Sequence, residues 1–129
     1  MQVKIDTKEK FHVITIQEPV LSANMTEEIQ YRLLTYLQNE VKNVVLNLKD
    51  INNIDDAAAE TLNNIQQSFY DQNASFVISN LHPDVEKSLD SAGLLEIMNT
   101  VPTESEAADI VQMEEIEREY IGNDENNLM

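Results

Sequence analysis

The run Val44-Val45-Leu46-Asn47-Leu48 constrains the fold more than any other part of the chain. Its apolar residues do not alternate strictly with polar ones, and two are β-branched, so it reads as a strand covered on both faces. Such a strand needs helices above and below it, which makes the chain an α/β protein. A polar turn follows. Then comes Ile54-Asp55-Asp56-Ala57-Ala58-Ala59-Glu60-Thr61-Leu62, a helix that starts on two adjacent carboxylates. Open α/β sheets place their working sites beyond the carboxyl ends of their strands. Asp55 and Asp56 stand there, and what the protein does is expected to depend on them.

The segments before this run supply two strands and a helix. Val3 to Ile5 and Phe11 to Ile16 read as strands joined by the polar connector Asp6 to Lys10, a hairpin without an Asn-Gly turn. Pro19 ends the second strand. Asn24 reads as an N-cap with Glu27 three residues on, and Met25, Ile29, Leu33 and Leu37 form an apolar stripe at helical spacing, predicting a helix to about Asn39.

Beyond the run, the helix from Asp56 carries Ala58, Leu62, Ile65 and Phe69 on one face. Phe76-Val77-Ile78 is the next strand, which completes a right-handed βαβ unit with parallel strands. Pro83 suits the first position of a third helix, with His82 as a turn residue or cap, Val85 and Leu89 inward, and Gly93 as its stop. Leu94 to Met98 is expected to hold a short last strand. Thr103-Glu104-Ser105-Glu106 is a capping box opening a fourth helix, with Ala107, Ile110 and Val111 inward, that reaches about Glu119. The order is ββαβαβα(β)α: one domain over 1–119 and an acidic tail over 120–129 expected to be disordered.

Charge narrows the function classes. The 129 residues carry a formal net charge of −16. From Glu104 onward nine acids face one base, Arg118, which is −8, half of the total. This disfavours nucleic acid or an anionic membrane surface as a direct partner, since both are met with Lys and Arg. Most of these acids read as a solvated helix face; the sharper reading is a surface for a basic partner. There is no apolar run long enough to span a bilayer, and the start is strand-like, not a signal peptide, so the expected location is the cytoplasm.

Catalytic machinery is missing. There are two glycines, Gly93 and Gly122, and no cysteine, so phosphate-cradling glycine loops, nucleophile elbows and thiolate chemistry have no residues to draw on. Two isolated histidines do not make a metal site. Asp50, Asp55, Asp56 and Glu60 are the one set of oxygen ligands that could collect Mg²⁺ or Ca²⁺. An aspartate after this strand invites comparison with the phosphoacceptor of receiver domains. That chemistry needs acids after the first strand and a lysine late in the chain; here the first strand enters a hairpin and no lysine follows Lys87. The expectation is a protein that is not an enzyme and carries no cofactor.

Three local patterns carry a family resemblance. One is Val44 to Leu48 followed by Ile54-Asp55 and a helix. The second is Phe76-Val77-Ile78 with Asn80-Leu81-His82-Pro83-Asp84-Val85-Glu86-Lys87-Ser88-Leu89 and Ala92-Gly93-Leu94. The third is the helix entered through Thr103-Glu104-Ser105-Glu106-Ala107-Ala108. From about Val3 to Val111 the chain resembles the STAS domain, the fold shared by bacterial anti-sigma factor antagonists and the cytosolic tails of sulphate transporters. The resemblance implies a single domain with a mixed, mostly parallel sheet flanked by about four helices.

It also implies a switch. In the family the corresponding turn reads Asp-Ser-Ser-Gly; a partner kinase, itself an anti-sigma factor, phosphorylates the first serine and so prevents binding. Laid on this chain, the aspartate falls on Asp55, the phosphoserine on Asp56, the second serine on Ala57 and the glycine on Ala58. The acceptor hydroxyl is absent. Two readings of Asp56 follow: a standing mimic of the phosphorylated form, or an N-cap in a constitutive binding module. The expected partner-binding surface is Asp55, Asp56, Ala57, Ala58, Glu60 and Thr61, with neighbours from Ser22 to Asn24, and the expected partner is a protein, an anti-sigma factor or histidine-kinase-like ATPase. Alternatives are a STAS subunit of a membrane lipid or anion transport complex and a small-ligand or nucleotide sensor.

Overall fold

A computed structural model describes the backbone of residues 1–128 and the side chains of residues 1–120. The strands are β1 (Val3–Thr7), β2 (Phe11–Ile16), β3 (Val20–Leu21), β4 (Asn43–Asn47), β5 (Asn53–Ile54), β6 (Phe76–Ser79) and β7 (Thr100–Val101). The helices are α1 (Thr26–Leu34), α2 (Asp56–Asp71), α3 (Pro83–Ser91) and α4 (Glu104–Leu128). The main sheet has the order β1-β2-β4-β6-β7. Only the β1–β2 hairpin is antiparallel; β2, β4, β6 and β7 run parallel.

The central run behaves as its composition requires. Val44, Val45, Leu46 and Leu48 are wholly buried. Successive strand side chains point to opposite faces, and the packing follows that period. Val44 and Leu46 join Ile14, Ile16, Phe76 and Ile78 in a core capped by α1, α2 and α3. Val45 joins Val13 and Val77 beneath Ala107 and Val111 of α4. Three helices thus cover one face and α4 the other. Fully burying one such side chain stabilises the fold by roughly 1.5–3 kcal/mol.

Several local expectations need correction. Asn24 is not a helix cap: it lies inside a 3₁₀ turn over Ala23–Met25, and α1 begins only at Thr26. The helical path continues past α1 through a second 3₁₀ turn, Thr35–Gln38. Leu94 to Met98 holds no strand. Its backbone folds into a turn, with the N–H groups of Ile97 and Met98 bonded to the Leu94 carbonyl, and the last strand forms two residues later, at Thr100–Val101. The fourth helix extends beyond Glu119, to Leu128. Of the tail expected over 120–129, all but Tyr120 lies outside the residues whose side chains are described. Elsewhere the caps fall where the residues point. His82 Nδ1 accepts from Asp84 N–H at 3.1 Å, and Thr103 Oγ1 from Glu106 N–H at 3.1 Å. Gly93 takes a φ of +72°, the left-handed conformation that ends a helix without strain.

Buried polar side chains fasten the layers to each other. The Gln66 amide of α2 donates to the Phe76 carbonyl at 2.6 Å and accepts from Asn99 N–H at 2.9 Å. Beside it Tyr70 donates to Glu114 of α4 at 2.9 Å and accepts from Asn99 Nδ2 at 2.8 Å, so it links helices on opposite faces of the sheet. Burial, and then the bond to Glu114, push the Tyr70 phenol from 10.0 up to about 12. The folded state therefore holds the phenolic proton more tightly than the unfolded chain. That contribution to stability is complete below pH 10 and is lost as pH rises towards 12. We expect urea unfolding between pH 10 and 12 to show a steeper loss of stability in the native chain than in Tyr70→Phe; equal slopes would place the alkaline transition elsewhere.

Candidate partner-binding surface

The site is built by two short segments that pair beside the main sheet. β3 and β5 run parallel, with Val20 opposite Asn53 and Leu21 opposite Ile54. The Asn52 N–H reaches the Pro19 carbonyl at 2.7 Å, and the Asp55 N–H the Leu21 carbonyl at 3.1 Å. Pro19 has no N–H of its own to satisfy, and here only its carbonyl is needed. Neither pairing segment has the length of an ordinary strand, which is why periodicity does not reveal them. Their effect is to bring Ser22, Ala23 and Asn24 against the start of α2.

Asp55 is the residue that closes this junction. Its backbone is extended, and its Oδ1 accepts from Ala58 N–H at 2.9 Å, so Asp55 is the N-cap of α2. Its Oδ2 accepts from Ala23 N–H at 2.7 Å. This corrects the expectation for Asp56. Asp56 is the first residue within the helix, not its cap, because a cap must lie outside the helical dihedrals while its side chain folds back on the first turn. Asp56 is exposed, and its carboxylate has no hydrogen bond or ion pair among the described residues.

The other expected residues divide. Ala57 and Glu60 are exposed beside Asp56. Glu60 stands one turn further along the helix, so the two carboxylates share a face. Thr61 is half-buried and donates its hydroxyl to the Ala57 carbonyl at 2.9 Å. Ala58 is wholly buried and belongs to the core. Its side chain cannot line an exposed surface, and the apolar stripe it heads in the sequence is the signal for that.

Two atoms near this sheet edge escaped the sequence reading. Ser79 Oγ and Asn80 Oδ1 are buried without a hydrogen-bond partner at the carboxyl end of β6, next to the end of β4. Asn80 adopts a φ of +61°, a left-handed conformation that asparagine tolerates better than most residues. The Asn-Leu-His-Pro order marks a turn, but nothing in it announces buried polar atoms. Among the described residues no three His, Cys, Asp or Glu side chains gather as a metal site would need, so Asp50, Asp55, Asp56 and Glu60 do not converge on a cation.

One antiparallel hairpin on an otherwise parallel main sheet, three helices on one face and a terminal helix on the other define the α/β class of the domain. The chain belongs to the STAS domain family, whose model matches residues 2–107. Among solved structures it is similar to an anti-sigma-factor antagonist (STAS) domain protein of Planctomyces limnophilus, with 17% identity, 85% of this chain and 97% of that one covered, and a TM-score of 0.70. It is similar to the phosphorylated form of SpoIIAA, a Bacillus cell fate determinant, with 20% identity, coverages of 85% and 99%, and a TM-score of 0.62. It is also similar to part of murine Slc26a9, an anion transporter, with 13% identity and a TM-score of 0.67; that match takes in 81% of this chain and 18% of the transporter. No curated protein sequence matches significantly.

The two adjacent acids should separate in a stability measurement. Asp55→Ala removes the cap and the tie to Ala23 and is expected to lower unfolding free energy in urea by about 0.5–2 kcal/mol or slightly more. Asp55→Asn should recover most of the cap, since asparagine caps as well as aspartate. Asp56→Ala should change stability by no more than about 0.5 kcal/mol. Equal losses for Asp55→Ala and Asp56→Ala would contradict this assignment of the cap.

Proposed function

We propose that this STAS domain is a non-enzymatic protein–protein interaction module of the anti-sigma factor antagonist kind, in which Asp56 occupies the phosphoacceptor place with a fixed charge. The observation that carries the reading is the division of labour at the helix start. Asp55 takes the cap, so the Asp56 carboxylate is left free and exposed at a helix amino end. That position favours negative charge through the helix dipole and the unpaired N–H groups of the first turn. A phosphoserine would bring a charge of about −1.5 to −2 and three acceptor oxygens. Asp56 brings one unit that no phosphatase can remove.

The interface of this reading is Asp56, Ala57, Glu60, Ala23 and Asn24, with Asp55 holding the two segments together and Thr61 at its border. The partner is a protein of the anti-sigma factor or histidine-kinase-like ATPase type, met in the cytoplasm, presenting Lys or Arg to the Asp56–Glu60 pair. No nucleic acid is involved. No described helix is long and apolar enough to cross a membrane. The alternative of a transport-complex subunit rests on the fold shared with the anion transporter, and a separate permease encoded beside this chain would favour it.

Capture from native cell extract tests the surface. The native chain is expected to retain a partner that Asp56→Lys with Glu60→Lys loses, both positions being exposed and the fold unaffected. A set of captured proteins identical for the two would remove this surface as the interface. With the partner in hand, Asp56→Ser should acquire a phosphate on the introduced hydroxyl, whereas the native chain should carry none over residues 50–62. High phosphate occupancy at Thr61 in the native chain would overturn the fixed-charge reading.

A further inference from the structure

The groove between the β1–β2 hairpin and α1 encloses about 360 Å³, within the range of about 300–1,000 Å³ usual for small-molecule pockets. It shares no residue with the surface at the start of α2. Val3 and Ile5 lie opposite Ile16 and Ile14 in the hairpin register, so all four side chains point to the face that α1 covers. Ile29 and Leu33 of α1 form the wall. Over the outer strand β1 the cover is incomplete: Ile5 is 51% exposed and Tyr31, on the rim, 76% exposed. Burying apolar surface of this kind is favourable at about 25 cal/mol per Å², so an apolar occupant is stabilised here.

The wall also carries polar groups on one side. Arg32 of α1, Tyr36 of the 3₁₀ turn and Asn39, the extended residue just after that turn, line the groove. Arg32 makes only a 3.8 Å contact with Glu28 at the surface. The Tyr36 hydroxyl has no hydrogen-bond partner within the described residues. In a chain with eight basic residues against twenty-four acids, a guanidinium bordering an apolar groove selects an anionic head group. Arginine meets a carboxylate with paired, charge-assisted hydrogen bonds. The groove is also small for a docked helix, which inserts a row of side chains along several turns. It suits a single alkyl chain.

We propose that this groove binds a fatty acid, with the alkyl chain over Val3, Ile5, Ile14 and Ile16 and the carboxylate at Arg32, assisted by the Tyr36 hydroxyl. The test uses the full chain, cis-parinaric acid as a fluorescent fatty acid, and dodecanoate and dodecan-1-ol as competitors with the same tail. Saturable binding at one site per chain, displaced by dodecanoate, is expected. Arg32→Gln should weaken dodecanoate about tenfold and leave dodecan-1-ol unchanged. Ile5→Asp should abolish binding of both; both positions are exposed, and circular dichroism checks that the fold is kept. Asp56→Lys with Glu60→Lys should leave binding unaltered.

The proposal is overturned if cis-parinaric acid shows no saturable binding up to about 1 mM. It is also overturned if dodecanoate binds Arg32→Gln as tightly as the native chain. Sedimentation that finds a dimer of the native chain, dissociated by Ile5→Asp, would assign the groove to a second copy and overturn it as well.

Discussion

One carboxylate, that of Asp55, joins two parts of the chain that the main sheet leaves separate. One oxygen receives the Ala58 N–H and starts α2; the other receives the Ala23 N–H and fixes the 3₁₀ turn ahead of α1. Without it, the first turn of α2 would lose the partner for one of its N–H groups. The junction of Ser22–Asn24 with α2 would then rest on the β3–β5 pair and on packing, with no side-chain bond to hold it. An aspartate serves both ends because an ionised carboxylate has two acceptor oxygens and no donor. Serine or threonine could cap the helix, but a single hydroxyl oxygen would have to divide itself between two N–H groups. The candidate surface is therefore a consequence of a structural bond, and the neighbouring acid, Asp56, is left exposed beside it.

The charge of α4 is organised by the same logic of which groups must be satisfied. Arg118, the one base after Glu104, does not face solvent with its acidic neighbours. Its guanidinium donates to Ser75 Oγ, to Asn43 Oδ1 and to Glu115 Oε2, at 3.0, 3.0 and 2.9 Å. Asn43 in turn donates to Glu115 and to the Lys10 carbonyl. The hydrogen bond from Asn43, together with the neighbouring Arg118, holds the Glu115 carboxyl below the usual carboxylate range despite partial burial. This cluster fastens α4 to the amino ends of β4 and β6. Glu104 and Glu114 also accept inward bonds, from Asn47 at 3.0 Å and Tyr70 at 2.9 Å, while Glu106, Asp109 and Glu117 are exposed and form the solvated face.

What could be read from the residues follows from where periodic signals exist. The double-sided burial of Val44–Leu48, the β-branched and aromatic run of β2 and the stripes of α1, α2 and α3 all extend over enough residues to be unambiguous. Two-residue strands repeat nothing. β3, β5 and β7 are fixed by backbone pairing with partners distant in sequence, and the misplacement of the last strand at Leu94–Met98 comes from taking an apolar run for a strand where a turn buries it. The Asp55–Asp56 ambiguity is of the same origin. Either acid could cap the helix by type, and the choice is made by Ala23, thirty-two residues earlier. Ala58 was legible: it heads the buried stripe of α2, and its place in an expected surface conflicted with the pattern. The groove over β1 was not, because it depends on how far α1 reaches across the hairpin.

Asp56 and a phosphoserine differ in more than charge, and the difference bears on what a partner can read. A phosphate at a helix amino end has oxygens to spare after the backbone N–H groups are met, and these can order an adjacent segment. A carboxylate on a side chain one methylene long has fewer acceptor positions and reaches less far. In this chain the adjacent segment, Ser22–Asn24, is already held, by Asp55. Under the proposed reading, the ordering that a phosphate could supply comes from a neighbouring aspartate, and Asp56 provides only a local charge. A partner that discriminates by charge would meet the same surface at all times; one that requires the additional oxygens would meet the unmodified form. The exposed Glu60 carboxylate, one turn along on the same face, adds a second unit of charge, which under the proposed reading favours a partner that answers with Lys or Arg.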